Sequence, residues 1–353
     1  MNKSKIKKQS KTIYLLRSNK TKFGGAEVYL SRLTRVLSKN NIDHKVVNSI
    51  APNFFPSWLR VLIFNIQVSI FKGSRFYFSL DRVVCPDVYR AGDGVHKIFL
   101  DIEKKSKLNP LHPIYLYVEK RCFERAHKII AISKMVKNNI ISSYGIDSNK
   151  ISVIYNGIDL KKVDYESSFS RISKTFPLKK NTKVILFVGS GYKRKGLEEF
   201  IRIIAALKNQ EVIAIVVGKE KNTSYYKNLT LELGINSRFI FAGARTDVED
   251  FYAISDIFLF PTHYEPFGNV ILEAMNMKNV VFTTSQCGGS ELLSREFIMK
   301  NPSDFSIVEK IDKLLVNNKD LRSNQEFNRK KSKNFSIQKN LEQTLKIIDE
   351  VID

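Results

Sequence analysis

Two glutamates, Glu265 and Glu273, stand eight residues apart in YEPFGNVILEA (264–274), across a Pro-Phe-Gly-Asn turn and directly after the apolar run IFLFPTH. On a single helix, eight steps of about 100° leave an offset of roughly 80°, too wide for the two acids to act as one pair on one face. The spacing makes better sense with Glu265 in a loop before a helix and Glu273 inside that helix. The N–H groups of the first helical turn then lie between the two acids, and such groups attract anions. The chemistry expected is a phosphate seat with an acid on either side.

Three other stretches carry residues of the right kind. In GSGYKRKG (189–196), Gly189 and Gly191 clear space beside Arg194 and Lys195. Arginine grips phosphate oxygens bidentately and lysine supplies a point charge. In FGGAE (23–27), Gly24 and Gly25 would let backbone approach a diphosphate. In YRAGDGVHK (89–97), Asp93 lies between glycines with His96 three residues on. Either is a candidate for orienting an acceptor, and spacing does not choose between them. Each stretch has a plainer reading, as a tight turn, a solvated basic turn or an Asp-Gly turn. The absence of GxGxxG gives no support to a dinucleotide fingerprint.

The elements that must position these residues are legible in the C-terminal half. KVILFVGS, VIAIVVG, RFIFAG, IFLFP and NVVFTT read as short buried strands separated by helical stretches such as KGLEEFIRIIAALKN and DVEDFYAIS. Strands alternating with helices imply a parallel doubly wound sheet, which binds ligands at the carboxyl ends of its strands. The N-terminal half repeats the pattern, with TIYLLRS, HKVVNSI, HKIIAIS and KISVIYNGID as strands and a helix over AEVYLSRLTRVLSKN, apolar at 26, 30, 33 and 37. The polar piece from Asp159 to Asn181 reads as a linker. The expected domains are 1–172, 173–335 and a C-terminal helix over 336–353 of unspecified docking.

With 353 residues, the chain exceeds one ordinary core. Its 58 Lys+Arg against 35 Asp+Glu give a formal charge of +23, which favours anionic partners such as nucleic acid, lipid surfaces or phosphorylated substrates. Cys85, Cys122 and Cys287 are odd in number and widely spaced, so neither a disulfide framework nor a zinc site is indicated, and a reducing cytoplasm fits. The basic N-terminus lacks a signal-peptide core. The most apolar stretch, WLRVLIFNIQVSIF (58–71), is too short to span a membrane and is read as a buried helix rather than a membrane-surface one.

Together these stretches resemble the GT-B glycosyltransferases of family 4 over nearly the whole chain. YEPFGNVILEA looks like the family's E-x7-E motif, FGGAE like its glycine loop and YKRKG like its Arg-Lys phosphate clamp. DVYRAGDGVHK and YVEKRCFERA look most like lipopolysaccharide-core hexosyltransferases, close to the core α-1,3-glucosyltransferases. The resemblance implies two Rossmann-like α/β domains, with the nucleotide-sugar bound in the cleft between them. It implies that Glu265 binds donor-sugar hydroxyls, that backbone near Phe267, Gly268 and Asn269 meets the phosphates, and that Glu273 accepts from the ribose. Arg194 and Lys195 would stabilise the leaving diphosphate, Gly24 and Gly25 would let the first domain close over it, and Asp93 would serve the acceptor.

The implied reaction is retaining transfer of a hexose, by default from a UDP-hexose, to a glycan on a lipid anchor, with no cofactor. No D-x-D motif is present, so metal independence is expected. The basic surface would dock the protein on the inner face of the cytoplasmic membrane. Rival readings are a sugar-nucleotide 2-epimerase of the same fold and a basic nucleic-acid-binding protein, the latter leaving both glutamates without a task.

Overall fold

The computed structural model describes residues 11–19, 25–103 and 109–352. Within them the chain forms two compact units, one of the described residues up to Tyr155 together with those from Asn340 onward, the other Asn156–Lys339. The division falls at Tyr155/Asn156 instead of 172, and the end of the chain returns to the first unit.

In the first unit the strands are β1 (Ile13–Leu16), β2 (His44–Val47), β3 (Phe76–Ser79), β4 (Val88–Ala91), β5 (Lys128–Ala131) and β6 (Ile151–Val153). They pair in parallel in the order β2-β1-β3-β4-β5-β6. Its helices are α1 (Gly25–Lys39), α2 (Ser57–Ile70), α3 (His96–Glu103), α4 (Leu111–Arg125) and α5 (Lys134–Tyr144). Local chemistry sets the ends of α5: the Ser133 hydroxyl accepts from Val136 N–H at 3.1 Å, and Gly145 closes the helix at φ 65°. Helix α1 buries Tyr29, Leu33 and Leu37, with Ala26 and Leu30 half-buried, so the core stripe runs one position away from part of the expected one.

The second unit carries β7 (Val184–Val188), β8 (Ile213–Val217), β9 (Phe239–Gly243), β10 (Ile257–Phe260), β11 (Val280–Thr284) and β12 (Ile298–Met299), in the parallel order β12-β11-β10-β7-β8-β9. Its helices include α6 (Tyr165–Ser173), α7 (Tyr192–Lys195), α8 (Leu197–Ala206), α9 (Thr223–Glu232), α10 (Val248–Ala253) and α11 (Asn269–Asn276). Strands β7, β10 and β11 are buried along their whole length, as a sheet covered on both faces requires. The pair of parallel sheets is the GT-B arrangement.

Three expectations change. The proposed linker holds α6, which docks by a two-pronged contact: Arg171 donates to the Asp250 carboxylate at 2.6 and 2.7 Å while Ser168 donates to it at 2.9 Å. Strands β3 (FYFS) and β4 (VYRA) escaped notice because each is only four residues long and β4 carries an arginine; Arg90 is nonetheless buried, its guanidinium 3.9 Å from the Tyr29 ring. Helix α2 buries only Phe64, Asn65 and Val68 and leaves an apolar face outside. The C-terminal helix Ile337–Ile352 packs on the first unit, with Tyr29 and Thr344 hydroxyls 3.0 Å apart and Asn340 donating to the Tyr155 carbonyl at 2.6 Å.

Candidate active site

In the second sheet the chain builds β7, β8 and β9 outward on one side, then returns to place β10 on the other side of β7. The two loops leaving β7 and β10 therefore diverge at the carboxyl edge, the place where such sheets hold ligands. Both loops carry the residues that the spacing singled out.

After β7, Gly189 lies under the lysine: an added Cβ would sit 3.4 Å from the Lys195 stem and 3.6 Å from Phe260. Gly191, at φ 72°, opens the short helix α7 that carries Arg194 and Lys195. Gly196 ends it at φ 78°, where a Cβ would overlap the Pro261 carbonyl. Only glycine permits that approach, and it presses α7 against the segment following β10. There the Arg194 carbonyl accepts from His263 N–H at 2.9 Å and from the Thr262 hydroxyl at 3.0 Å.

The Glu265 carboxylate meets both cations, contacting Lys195 Nζ directly and Arg194 at 3.2 Å. Arg194 also donates to the Tyr264 carbonyl at 2.6 Å. Burial, with the adjacent Arg194 charge adding to it, pulls the Lys195 ammonium down to about 7, and contact with Glu265 opposes loss of that proton.

Glu265 is mounted from a segment the motif reading left out. Its N–H donates to the Gln286 carbonyl at 3.0 Å and its carbonyl accepts from Gly288 N–H at 2.9 Å, a one-bridge parallel pairing with the chain leaving β11. Gly289 and the Cys287 thiol both donate to the Phe267 carbonyl, at 2.8 and 3.2 Å. Burial raises the Cys287 thiol above its ordinary range, so it stays a packed, protonated donor. The Gly-Gly pair at 288–289 behind a strand was the available signal, of the same form as the pair at 24–25.

Gly268, at φ 80°, is the N-cap of α11 and offers no side chain to the first-turn N–H groups. Phe267 is buried beside it, and the Asn269 amide oxygen accepts from Asn156 at 2.8 Å. Glu273 lies in the middle of α11, and the buried Tyr252 hydroxyl donates to it at 3.2 Å. Glu265 before the helix and Glu273 inside it is the arrangement that their spacing implies.

The first unit holds a second polar cluster at the carboxyl edge of its own sheet. Asp93 is largely exposed in the turn after β4, and His96 opens α3. Glu119, fully buried on α4, accepts from Arg82 Nε and from His96 N–H, both at 2.7 Å, and from the Tyr144 hydroxyl at 2.7 Å. Arg82 reaches back to the Gly94 carbonyl at 3.0 Å and to within 3.9 Å of the Asp93 carboxylate. His96 Nε2 is 3.2 Å from His112 Nδ1, and burial, then the Arg82 charge, lowers its pKa to about 4, so the ring is neutral near pH 7. After β1, Arg17 joins Glu27 at 2.7 Å and contacts Asp81, which follows β3. Arg82, Glu119, Arg17 and Asp81 were not readable as site residues, since separations such as 37 between Arg82 and Glu119 form no motif.

Gly24 lies outside the described residues. Gly25 starts α1 with nothing within 4 Å of an added Cβ, so no steric demand for glycine exists there. Among the described residues, no group of three or more His, Cys, Asp or Glu side chains is arranged to hold a metal ion.

The family model for glycosyl transferases group 1 matches residues 168–332, and that for glycosyltransferase family 4 matches residues 93–162. Among curated relatives, the capsular polysaccharide biosynthesis glycosyltransferase CapM of Staphylococcus aureus is 34% identical over 59% of this chain and 57% of its own. The lipopolysaccharide glucosyltransferase WaaG of Escherichia coli is 33% identical over 31% of this chain and 30% of its own. The chain spans about half the length of the first curated relatives it matches. A crystal structure of WaaG shares the fold at a TM-score of 0.78 and 19% identity, over 95% of this chain and 99% of that one. Anabaena HepE in complex with UDP-glucose does so at 0.73 and 19%, over 96% and 99%. The two family models lie end to end over residues 93–162 and 168–332, so the chain is similar to glycosyltransferases of family 4 and of group 1 along both of its parallel sheets.

Proposed function

We propose that the protein transfers a hexose, with retention of anomeric configuration, from UDP-hexose to a hydroxyl of a lipid-anchored glycan of the lipopolysaccharide or lipooligosaccharide core type. The observation that carries this reading is the meeting of Lys195 and Arg194 with Glu265 at the edge of β7 and β10, beside the uncapped start of α11. A solved relative fold holds UDP-glucose, and a curated relative is a lipopolysaccharide glucosyltransferase.

In this mechanism the donor diphosphate takes the two cations from Glu265. The freed carboxylate then accepts from hydroxyls of the donor sugar, first-turn N–H groups of α11 bind phosphate oxygens, and Glu273, steadied by Tyr252, accepts from the ribose. As the bond between the anomeric carbon and the phosphate oxygen breaks, negative charge grows on the β-phosphate, where Arg194 and Lys195 stabilise it. The acceptor oxygen bonds to the same face of the anomeric carbon, and its proton passes to the leaving phosphate. The products are the extended glycan, UDP and one proton. Asp93, or His96 as a neutral imidazole, orients the acceptor, and neither a metal nor a cofactor takes part. The protein works on the inner face of the cytoplasmic membrane, where such acceptors are displayed.

The test is a thermal-shift panel of UDP, GDP, ADP and their hexose conjugates in EDTA, because a ligand that binds only the native state raises its stability. UDP and one UDP-hexose should shift the melting temperature selectively, and UDP release should depend on added core glycolipid. Stabilisation by GDP compounds alone moves the donor class, dependence on a divalent ion removes metal independence, and UDP release without any acceptor points to an epimerase.

A further inference from the structure

Helix α4 carries His112, Tyr115 and Glu119 at spacings of three and four, which place them along one side of the helix. Glu119 is buried and engaged by Arg82, His96 and Tyr144. Tyr115 and His112 are half-buried, and the function proposed above gives neither of them a task. The Tyr115 ring lies 5.0 Å from the His96 ring and 5.8 Å from the Arg82 guanidinium. Its phenol is within electrostatic reach of Asp81 and Asp93, yet it makes no hydrogen bond among the described residues. Burial holds the phenol above its ordinary range, Arg82 opposing and the two carboxylates adding, so the hydroxyl stays able both to donate and to accept. Beside it His96 Nε2 and His112 Nδ1 are 3.2 Å apart, and the other nitrogen of each ring has no partner among the described residues. With both rings neutral, the bond between them uses one N–H and one lone pair, whichever way it runs. One N–H and one lone pair are then left for a ligand, the combination that a hydroxyl group matches.

We infer that Tyr115 and His112, with Asp93, seat one sugar ring of the acceptor, and that this ring is uncharged. Aromatic rings edged by polar atoms suit a pyranose, whose C–H groups pack on the rings while its hydroxyls donate and accept. The charge balance selects a neutral one. Arg17 is held by Glu27 and Asp81, and Arg82 by Glu119 with Asp93 3.9 Å away, so the two guanidiniums of the cluster meet four carboxylates. An acidic ring would bring a further negative charge beside Asp93, whose side chain is 63% exposed, and would set an oxyanion against the lone pair of the imidazoles. The inference rests on the acceptor-binding part of the function proposed above and names the class of group bound there.

The experiment is saturation-transfer-difference NMR of the full chain, titrated with the methyl glycosides of glucose, mannose and galactose and with those of glucuronic and galacturonic acid, each with and without UDP. The expected result is saturation of at least one neutral glycoside, none of the acidic pair, and an affinity about fivefold lower in Tyr115→Phe, the size of one hydrogen bond. The Tyr115 hydroxyl bonds nothing among the described residues, so that variant should keep the wild-type melting temperature and UDP affinity. A tyrosine with a structural role only would leave glycoside affinity unchanged. His112→Phe keeps a ring, removes the nitrogen pair and should lower the same affinity. Acidic glycosides bound as tightly as neutral ones would overturn the uncharged class. No neutral glycoside bound by the wild type, or equal affinity in Tyr115→Phe, would overturn the seat itself. UDP binding is scored separately by its thermal shift, so failure of the donor reading is distinguished from failure of this one.

Discussion

At Lys195, burial and charge pull in opposite directions. Burial and Arg194 lower its pKa to about 7, whereas a bound diphosphate would favour the charged form and raise it. Donor binding should therefore take up a proton when the pH lies above the free-site value. The sign follows: UDP affinity should be flat at acid pH and fall as pH rises through about 7. Calorimetric titrations of UDP at several pH values check it, and Lys195→Ala should bind more weakly with that slope removed. The same variant should lose roughly 10²–10³ in kcat, the range seen when one preorganised donor to a developing anion is deleted. An unchanged pH slope in the variant would take Lys195 out of the phosphate contact.

Among the elements, α3 depends on a residue of α4. The N–H of His96, at its first turn, and the Arg82 guanidinium converge on buried Glu119, so that carboxylate fixes both the start of α3 and the loop carrying Asp93. Glu119→Ala leaves Arg82 buried without its partner, a class of change that costs about 3–5 kcal/mol. Glu119→Gln keeps one acceptor oxygen but turns the other into a donor facing donors, and should cost less. Denaturant unfolding measures the stability. Steady-state kinetics on the Gln variant should show a raised KM for the acceptor with UDP affinity held, since the proposed donor contacts belong to the second unit. The reverse pattern would make Glu119 a core residue only.

At the scale of the whole chain, the C-terminal helix is part of the first unit's fold. Leu341, Leu345, Ile348 and Ile352 are buried, and burying each such side chain contributes about 1.5–3 kcal/mol. A chain ending at Lys339 should therefore lose several kcal/mol in the first unit and melt at lower temperature, while the second unit keeps its UDP-induced stabilisation if UDP binds there. Equal melting of the two lengths would show the helix to be dispensable. The sequence by itself determined the alternation of buried strands and helices in residues 183–284, and the placing of Glu265 before a helix and Glu273 within it, because strand runs, glycine breaks and helical spacing are local signals. It also placed Gly189, Arg194 and Lys195 at a strand's carboxyl end. Only the tertiary structure decided that α6 packs where a linker was expected, that the short strands β3 and β4, the latter with its arginine, lie inside a sheet, and that one face of α2 stays outside. It alone joined Glu265 to Gln286 and Gly288, Glu273 to Tyr252, and Arg82 to Glu119. Burial of a charged side chain in a strand or helix depends on which distant residues offer it a partner, as the Tyr29 ring does for Arg90 and as Arg171 and Ser168 do for Asp250. Such pairings arise from sheet order and crossover packing, which leave no periodic mark on the chain.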